Sequence, residues 1–245
     1  MIVRDLGDCW QVVLQTDHGE TCGAFARAWV DRGPLHSSLE LAAERHDDGW
    51  AVWEQSPLVD ATGMPVPFLS VQVPAHLTFY RACISSVSDE DPYAGLLVSM
   101  HGAGIYRQRY GRDPGLKLEN AEEVQDLVEA FVAEQEATHA GRASQAGVDD
   151  DLRWADYERL QLYDRLCLYF CMRDVEAGEA AEIGGYALEP IEPWHVRMSP
   201  FPFGESPAAF SLKRRLIPKR AWTQAEFRRD FWDMEPASMT IHISG

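Results

Sequence analysis

The stretch that decides the predicted fold is SSLELAAERHDDGW, residues 37–50. It opens with a serine followed three positions later by a glutamate, which is the capping box that begins many helices. Apolar residues then recur in helical phase down to His46, so this imidazole shares the buried face of the helix. Asp47 follows directly, and Gly49 ends the pattern. The segment therefore predicts a helix that brings an adjacent His-Asp pair into the protein interior.

Other helical patterns surround this one. A helix that begins near Asp17 carries His18 on its apolar face, and Asp164 lies on the apolar face of a later helix. His76 and His101 lie on two helices between them. These later helices are predicted at residues 75–87, 91–110, 118–140 and 152–174. Buried imidazoles and carboxylates are costly unless they are hydrogen-bonded, paired or bound to metal, so their placement on apolar faces indicates a site.

The rest of the chain is less helical. Residues 1–16 predict a β-hairpin, and residues 52–75 contain four prolines, which favours an ordered surface loop and candidate lid. The small, polar stretch 141–151 is interpreted as a flexible joint. Residues 175–245 are rich in proline and contain alternating segments, which predicts an irregular extension with strands. We therefore expect a single domain spanning the whole chain, mainly α, with a helical bundle at 17–174 and a small antiparallel sheet from the N- and C-terminal segments.

The amino-acid composition disfavours some classes of binding partner. The chain of 245 residues is 46% hydrophobic with a net charge of −17, which disfavours nucleic acid and anionic membrane surfaces because repulsion opposes both. No basic, apolar leader or run of roughly 20 apolar residues occurs. We expect a cytoplasmic protein that acts on a small molecule and could form a homo-oligomer. The five cysteines include no CxxC pair, and we interpret them as small buried hydrophobes in a reducing compartment.

The buried polar residues have the donor atoms of a metal site. The candidate ligands are His18, His46, Asp47, His76, His101 and Asp164. Imidazole nitrogen with carboxylate oxygen suits Fe, Mn, Zn, Co or Ni, and a set without thiolate is unlike a structural zinc site. Neighbouring side chains at a helix end diverge, so Asp47 could bridge two ions roughly 3.5–4 Å apart. Each residue could instead be a hydrogen-bonded core side chain, and Asp164 could accept from a core tyrosine or arginine. We expect one or two divalent ions.

The order His, His-Asp, His, His and Asp on helices resembles the HD-domain superfamily, which contains metal-dependent phosphohydrolases and diiron oxygenases. The segments AAERHDDGW, SMHGAGIY and LQLYDRLCLY resemble a bacterial branch of it whose function is not known. The likeness spans about residues 12–172 and implies an HD-like helical core. Two departures concern the second metal: Asp48-Gly49-Trp50 replaces the usual apolar-Gly-Lys continuation, and no second histidine adjoins His101.

Carried over residue by residue, the resemblance implies two ion positions. His18, His46, Asp47 and Asp164 would hold one metal. A second ion, bridged by Asp47, would be bound by His76 and His101.

Groups that could act on a substrate lie near these ligands in the sequence. Asp47 is the candidate that orients a hydroxide, and Glu20, Asp48 and Glu54 are candidate acid-base groups. Aromatic residues near the proline-rich loop, Trp50, Trp53 and Phe68, could line a pocket, although such residues are more often packing.

Two groups of basic residues are candidates with alternative explanations. The guanidinium groups of Arg107, Arg109 and Arg112 could reach a phosphate or carboxylate, but a solvated basic helix end is at least as good an explanation. The basic cluster at 213–220 is predicted mostly to solvate an edge strand.

Three functions fit this sequence. The leading hypothesis is a metal-dependent hydrolase of a small phosphoester or nucleotide-like substrate that uses a metal-activated water. The first alternative is a diiron oxygenase of a small molecule, because six His and Asp ligands can also hold an iron pair. The second alternative is a non-catalytic metal-binding module.

Overall fold

A computed structural model of the chain describes residues 1–111, 122–173 and 178–245. The strands are β1 (Ile2–Asp5), β2 (Cys9–Val13), β3 (Ala181–Ile183), β4 (Tyr186–Glu192), β5 (His195–Ser199), β6 (Ala208–Pro218) and β7 (Ala237–Ser244). The helices are α1 (Gln15–Ala28), α2 (His36–Arg45), α3 (Ala51–Glu54), α4 (Val73–Glu90), α5 (Pro92–Tyr106), α6 (Gln125–Gln145), α7 (Asp150–Met172) and α8 (Gln224–Asp230).

All seven strands form one mixed sheet in the order β1-β2-β6-β7-β5-β4-β3. Strands β5 and β7 are parallel, and the other pairs are antiparallel. Helix accounts for 55% of the structure and strand for 20%, which makes this an α/β fold. The prediction of a mainly α, HD-like bundle with a small antiparallel sheet is therefore wrong, because the sheet is a full layer of the molecule.

The missed strands lie in the segment that glycine and proline make irregular in the sequence. Gly184 and Gly185 adopt φ values of 57° and 84°, which fit the tight turn between β3 and β4. Pro190 lies where the pairing of β4 with β5 shifts register, a position at which a strand tolerates the missing N–H. Because glycine and proline occur within and between these short strands, the alternation of buried and exposed residues that marks a strand is not visible in the sequence.

The long strand β6 lies inside the sheet, between β2 and β7, so the prediction that its basic cluster solvates an edge strand is wrong. Lys213 pairs with Glu20 on α1 at 2.6 Å. Arg215 is buried, and its guanidinium lies 5.1 Å from the centre of the Phe231 ring. The alternating apolar residues of β6 face the helices, where Phe210 packs 4.7 Å from the ring of Phe25. The basic side chains therefore join elements rather than cover an edge.

The predicted helices are largely present with shifted ends. Helix α5 is buried from Tyr93 to Gly104 and ends at Tyr106 rather than at residue 110. Residues 118–121 of the predicted acidic helix lie outside the described residues, and α6 continues to Gln145. The predicted flexible joint at 141–151 is instead the end of α6, a short turn and the start of α7. No helix in the described ranges is both long and apolar enough to cross a membrane.

Candidate metal centre

His18 and Asp164 meet between α1 and α7, although 146 positions separate them in the chain. His18 Nε2 lies 3.1 Å from Asp164 Oδ1, and the two residues are only 1% and 4% exposed. The burial that helical phase predicts for both residues is therefore observed. The second carboxylate oxygen of Asp164, Oδ2, accepts from Arg109 Nη1 at 2.8 Å.

His46 and Asp47 follow the last turn of α2. The Nδ1–H group of His46 donates to the Ala43 carbonyl at 2.9 Å, and a carbonyl can only accept. Nδ1 therefore carries a proton, and the other ring nitrogen, Nε2, has no hydrogen-bond partner among the described residues. This Nε2 lies 3.5 Å from Asp47 Oδ2 and 3.8 Å from Asp164 Oδ1. This buried nitrogen thus faces two carboxylates without a hydrogen-bond partner among the described residues.

His101 on α5 completes the group of buried imidazoles. Its ring centre lies 4.8 Å from that of His46. Burial, reinforced by His46, lowers the pKa of His101 to about 3, so its ring is neutral near pH 7. A Cβ on the neighbouring Gly102 would lie 2.9 Å from the Tyr80 ring. Gly102 therefore allows α4 to pack closely against α5.

Arg109 is buried beside these residues in an uncommon backbone conformation. Its φ is 50°, within a 3-10 turn that follows α5. Its Nη1 donates to Asp164 Oδ2 and to Gln161 Oε1, each at 2.8 Å. Burial alone would raise the pKa of Asp164, but Arg109 and His18 hold that pKa well below its usual value. The carboxylate of Asp164 is therefore ionised.

A cavity of about 90 Å³ opens above this cluster. Its polar lining includes Asp47, His101, Arg109 and Asp164. The remaining wall is mostly aromatic and aliphatic and includes residues of the proline-rich loop. These apolar and aromatic lining residues are Trp50, Phe68, Leu69, Val71, Val73, Tyr80, Ile105, Tyr106 and Leu168. The predicted lid segment thus forms part of the cavity wall.

His76 also lines the cavity, but it lies apart from the other candidate ligands. Its Nδ1 is 2.5 Å from the hydroxyl of Tyr106. Burial lowers the pKa of His76 to about 4. The described groups of three or more donor atoms that lie within 4.8 Å of one another do not include His76.

Several residues predicted to act on a substrate lie elsewhere. Glu20 is exposed and pairs with Lys213, because two positions along a helix turn it away from His18. Asp48 accepts from Arg45 at 2.6 Å. These two carboxylates therefore do not line the cavity, contrary to the catalytic roles predicted for them.

The other candidates away from the cavity are also held by neighbours. Arg107 is exposed and pairs with Glu136 on α6, contrary to its predicted role in substrate binding. Glu54 accepts from the N-terminal amine of Met1 and from the backbone N–H of Gln15. Trp53 is absent from the cavity lining. Arg112 lies outside the described residues.

Three cysteines that the sequence analysis assigned to the apolar core lie against His18. Cys22 Sγ is 3.6 Å from His18 Nε2, and the structure groups Cys167 and Cys171 with the same imidazole. Cys22 is four positions after His18 on α1, and Cys167 and Cys171 are four apart on α7. Equal helical spacing on two packed helices could have revealed the cluster. These thiols add a second kind of donor beside the nitrogen and oxygen atoms.

The residues present fit a metal ion. His46, Asp47 and His101 offer donor atoms within 4.8 Å of one another, as do His18, Cys22 and His46. All five residues are buried, and Nε2 of His46 has no hydrogen-bond partner among the described residues. Imidazole and carboxylate donors bind transition metals, and the buried His46 nitrogen without a hydrogen bond is the observation that favours an ion over a simple hydrogen-bonded core.

The fold and site define an α/β protein whose buried clusters of His, Asp and Cys could bind a metal beneath a largely apolar cavity. The chain belongs to the family described as a protein of unknown function, DUF3891, which matches residues 1–219. This match includes β1 to β6 and all of the candidate ligands, and it leaves out α8 and β7. No curated protein and no solved structure matches the chain.

Proposed function

We propose that this protein is a metal-dependent hydrolase of a small phosphoester. The observation that carries the proposal is the buried Nε2 of His46, which faces the carboxylates of Asp47 and Asp164 without a hydrogen-bond partner among the described residues. The resemblance of the His and His-Asp pattern to the HD-domain superfamily supports the same reaction class. His18, His46, Asp47 and Asp164 would hold the ion.

The charged groups of the proposed site suit the negative charge of a phosphoester. A divalent ion supplies a bound water with a pKa near 7 and compensates charge on phosphoryl oxygens. Arg109 lies in the cavity wall, so its guanidinium adds positive potential beside the position of a phosphoryl group. Asp47 is the carboxylate best suited to orient the attacking water, because its Oδ2 faces His46 at the cavity floor.

The cavity wall would hold the organic part of the substrate. Trp50, Phe68 and Tyr106 contribute aromatic surface, and the cavity of about 90 Å³ favours a small ligand. A planar or apolar leaving group would bury more apolar surface there than a sugar would.

Metal content and turnover measured together test the proposal. The purified chain, stripped with chelator and reloaded with Mn, Co, Ni, Zn or Fe, is assayed on a panel of phosphoesters. We expect His46→Ala to lose both bound metal and activity, while Glu20→Gln retains both because Glu20 is exposed and outside the cavity. A chain that holds metal but hydrolyses no phosphoester with any of these ions would contradict the proposal. Metal loss in His46→Ala without loss of any activity would indicate a metal-binding module.

A second candidate is a diiron oxygenase, favoured by the predominance of apolar side chains in the cavity wall. Such a wall suits an apolar substrate, which needs no cation to bind it. This function predicts about two irons per chain, a near-ultraviolet absorption band, and oxygen-dependent loss of substrate. Colourless protein that prefers Mn or Zn would refute it.

A further inference from the structure

Five side chains beneath the cavity form one continuous series of hydrogen bonds. Arg109 Nη1 lies 2.8 Å from Gln161 Oε1, and Gln161 Nε2 lies 3.0 Å from His101 Nδ1. His101 Nε2 then lies 3.4 Å from the Tyr80 hydroxyl, which is 2.8 Å from Asp47 Oδ1. The series joins three helices, the 3-10 turn after α5 and the end of α2.

The two ends of this series fix its direction. A guanidinium can only donate hydrogen bonds, so Arg109 forces the Gln161 oxygen to accept. The amide nitrogen of Gln161 must then donate to His101 Nδ1, which leaves the proton of the neutral ring on Nε2. At the other end, ionised Asp47 can only accept, so the hydroxyl of Tyr80 donates to it. The oxygen of Tyr80 remains available to accept from His101 Nε2–H.

The reverse arrangement would place two donors against each other. Turning the Gln161 amide by 180° would present its NH₂ group to Arg109 Nη1, both within the buried site. An unsatisfied buried donor costs about 1–3 kcal/mol, and more when the group is charged. Arg109 also donates to Asp164, which keeps its guanidinium in place. The orientation of Gln161 is thus set by neighbours that cannot change their own roles.

We propose that Gln161 limits the metal centre to one ion by holding the proton of His101 on Nε2. This inference rests on the proposed metal-binding function, because it concerns how many ions the same site accepts. A metal ligand needs a lone pair, and the Nε2 of His101 that faces the Tyr80 hydroxyl carries a proton instead. His101 is therefore a hydrogen-bond donor at the cavity floor rather than a ligand of a second ion. His76, the other residue implied for that ion, lies outside the donor groups.

The same placement gives His101 a role toward substrate. Its Nε2–H makes a long contact of 3.4 Å with Tyr80, so a substrate oxygen in the cavity can replace that acceptor. Gln161 is then a positioning residue, because it acts on substrate and metal only through the imidazole.

The number of metal ions bound by a Gln161→Glu variant tests the inference, because this substitution replaces only the amide nitrogen by an oxygen. In Gln161→Glu, the carboxylate accepts from Arg109 and from a proton on His101 Nδ1, which leaves the Nε2 lone pair free. With excess Mn or Fe followed by desalting, we expect one ion per wild-type chain and two per Gln161→Glu chain by elemental analysis. The matched control is Gln135→Glu, a buried glutamine that accepts from Ser99 away from the cavity. It should still bind one ion. A folded Gln161→Glu chain that binds one ion would overturn the inference.

Nitrogen-15 NMR of the histidines in metal-free protein reads the tautomer directly in the wild-type chain. The signals of His101 are assigned by their absence in His101→Gln. We expect a protonated, pyrrole-type Nε2 and an unprotonated Nδ1 in the wild-type chain. The opposite tautomer, or a wild-type chain that binds two ions and loses one in His101→Gln, would overturn the inference. If the wild-type chain bound no metal, the proposed function would fail, while the observed tautomer would still decide the role of Gln161.

Discussion

Breaking the buried ion pair between Arg109 and Asp164 should destabilise the metal-free protein strongly. The two charged groups are 2.8 Å apart, and each side chain is only 5% exposed. Asp164→Ala removes the carboxylate that faces this guanidinium, and Asp164 also contacts His18. Solvent cannot replace the lost partner easily at such low exposure.

The expected cost follows from the burial of the pair. Removing one member of a buried ion pair costs about 3–5 kcal/mol, since the other charge stays in a poorly solvated position. For a chain of this size each kcal/mol lowers the Tm by roughly 2–4 °C, so Asp164→Ala should melt about 10 °C lower. Adding Arg109→Met to Asp164→Ala removes the guanidinium charge that the first substitution leaves buried without its carboxylate. The double variant should therefore recover at least about 2 kcal/mol relative to additive losses.

Urea unfolding in excess chelator measures the four proteins of this double-mutant cycle without a contribution from bound metal. The wild type, Asp164→Ala, Arg109→Met and the double variant are followed by circular dichroism, with slopes compared to check that each unfolds in two states. Losses that add within about 0.5 kcal/mol would show that the two side chains are not coupled. That result would refute the assignment of Arg109 as the counter-charge of Asp164.

Three further predictions test other parts of the structure. Gly49→Ala should destabilise the protein by several kcal/mol in urea unfolding, because its Cβ would lie 2.1 Å from the Phe79 carbonyl oxygen; unchanged stability would contradict this close approach. Burial lowers the pKa of His139 from 6.5 to about 4, so the unfolded chain binds more protons between these values and stability falls as pH drops through them. His139→Gln should remove about 2 kcal/mol of the loss between pH 7 and pH 5, and an unchanged pH profile would argue against a neutral ring beside Ser99. Cys171→Ser should weaken Cd binding while Mn content stays constant, since thiolates prefer soft ions; equal loss of both metals would place this thiol in the nitrogen and oxygen site.

Helical phase alone predicted the part of the site with the best-defined geometry. His18, His46 and Asp164 lie on apolar helix faces in the sequence, and the structure buries all three within a few ångströms of one another. This was predictable because the 3.6-residue repeat fixes which side chains face the interior, and an interior charge requires a partner. The sequence also placed Asp47 beside them, at the end of the same helix as His46.

Closeness to the ligands along the chain did not predict which other residues line or support the site. Glu20 and Asp48 are neighbours of ligands along the chain, yet one turns to Lys213 and the other to Arg45. Gln161 gave no sequence signal, since an amide on a helix has many ordinary roles.

The sequence by itself predicted the six long helices, α1, α2 and α4 to α7, and the burial of His18, His46 and Asp164, because both follow from local periodicity and the cost of desolvation. The tertiary structure alone decided that seven strands form one mixed sheet, since Gly and Pro hide the strand period and pairing is non-local. It also decided that Arg109 reaches Asp164 from the turn after α5, and that Gln161 on α7 reaches His101 on α5. Which group donates and which accepts depends on the groups that lie next to each other in the folded protein. The order of residues along the chain does not specify these contacts.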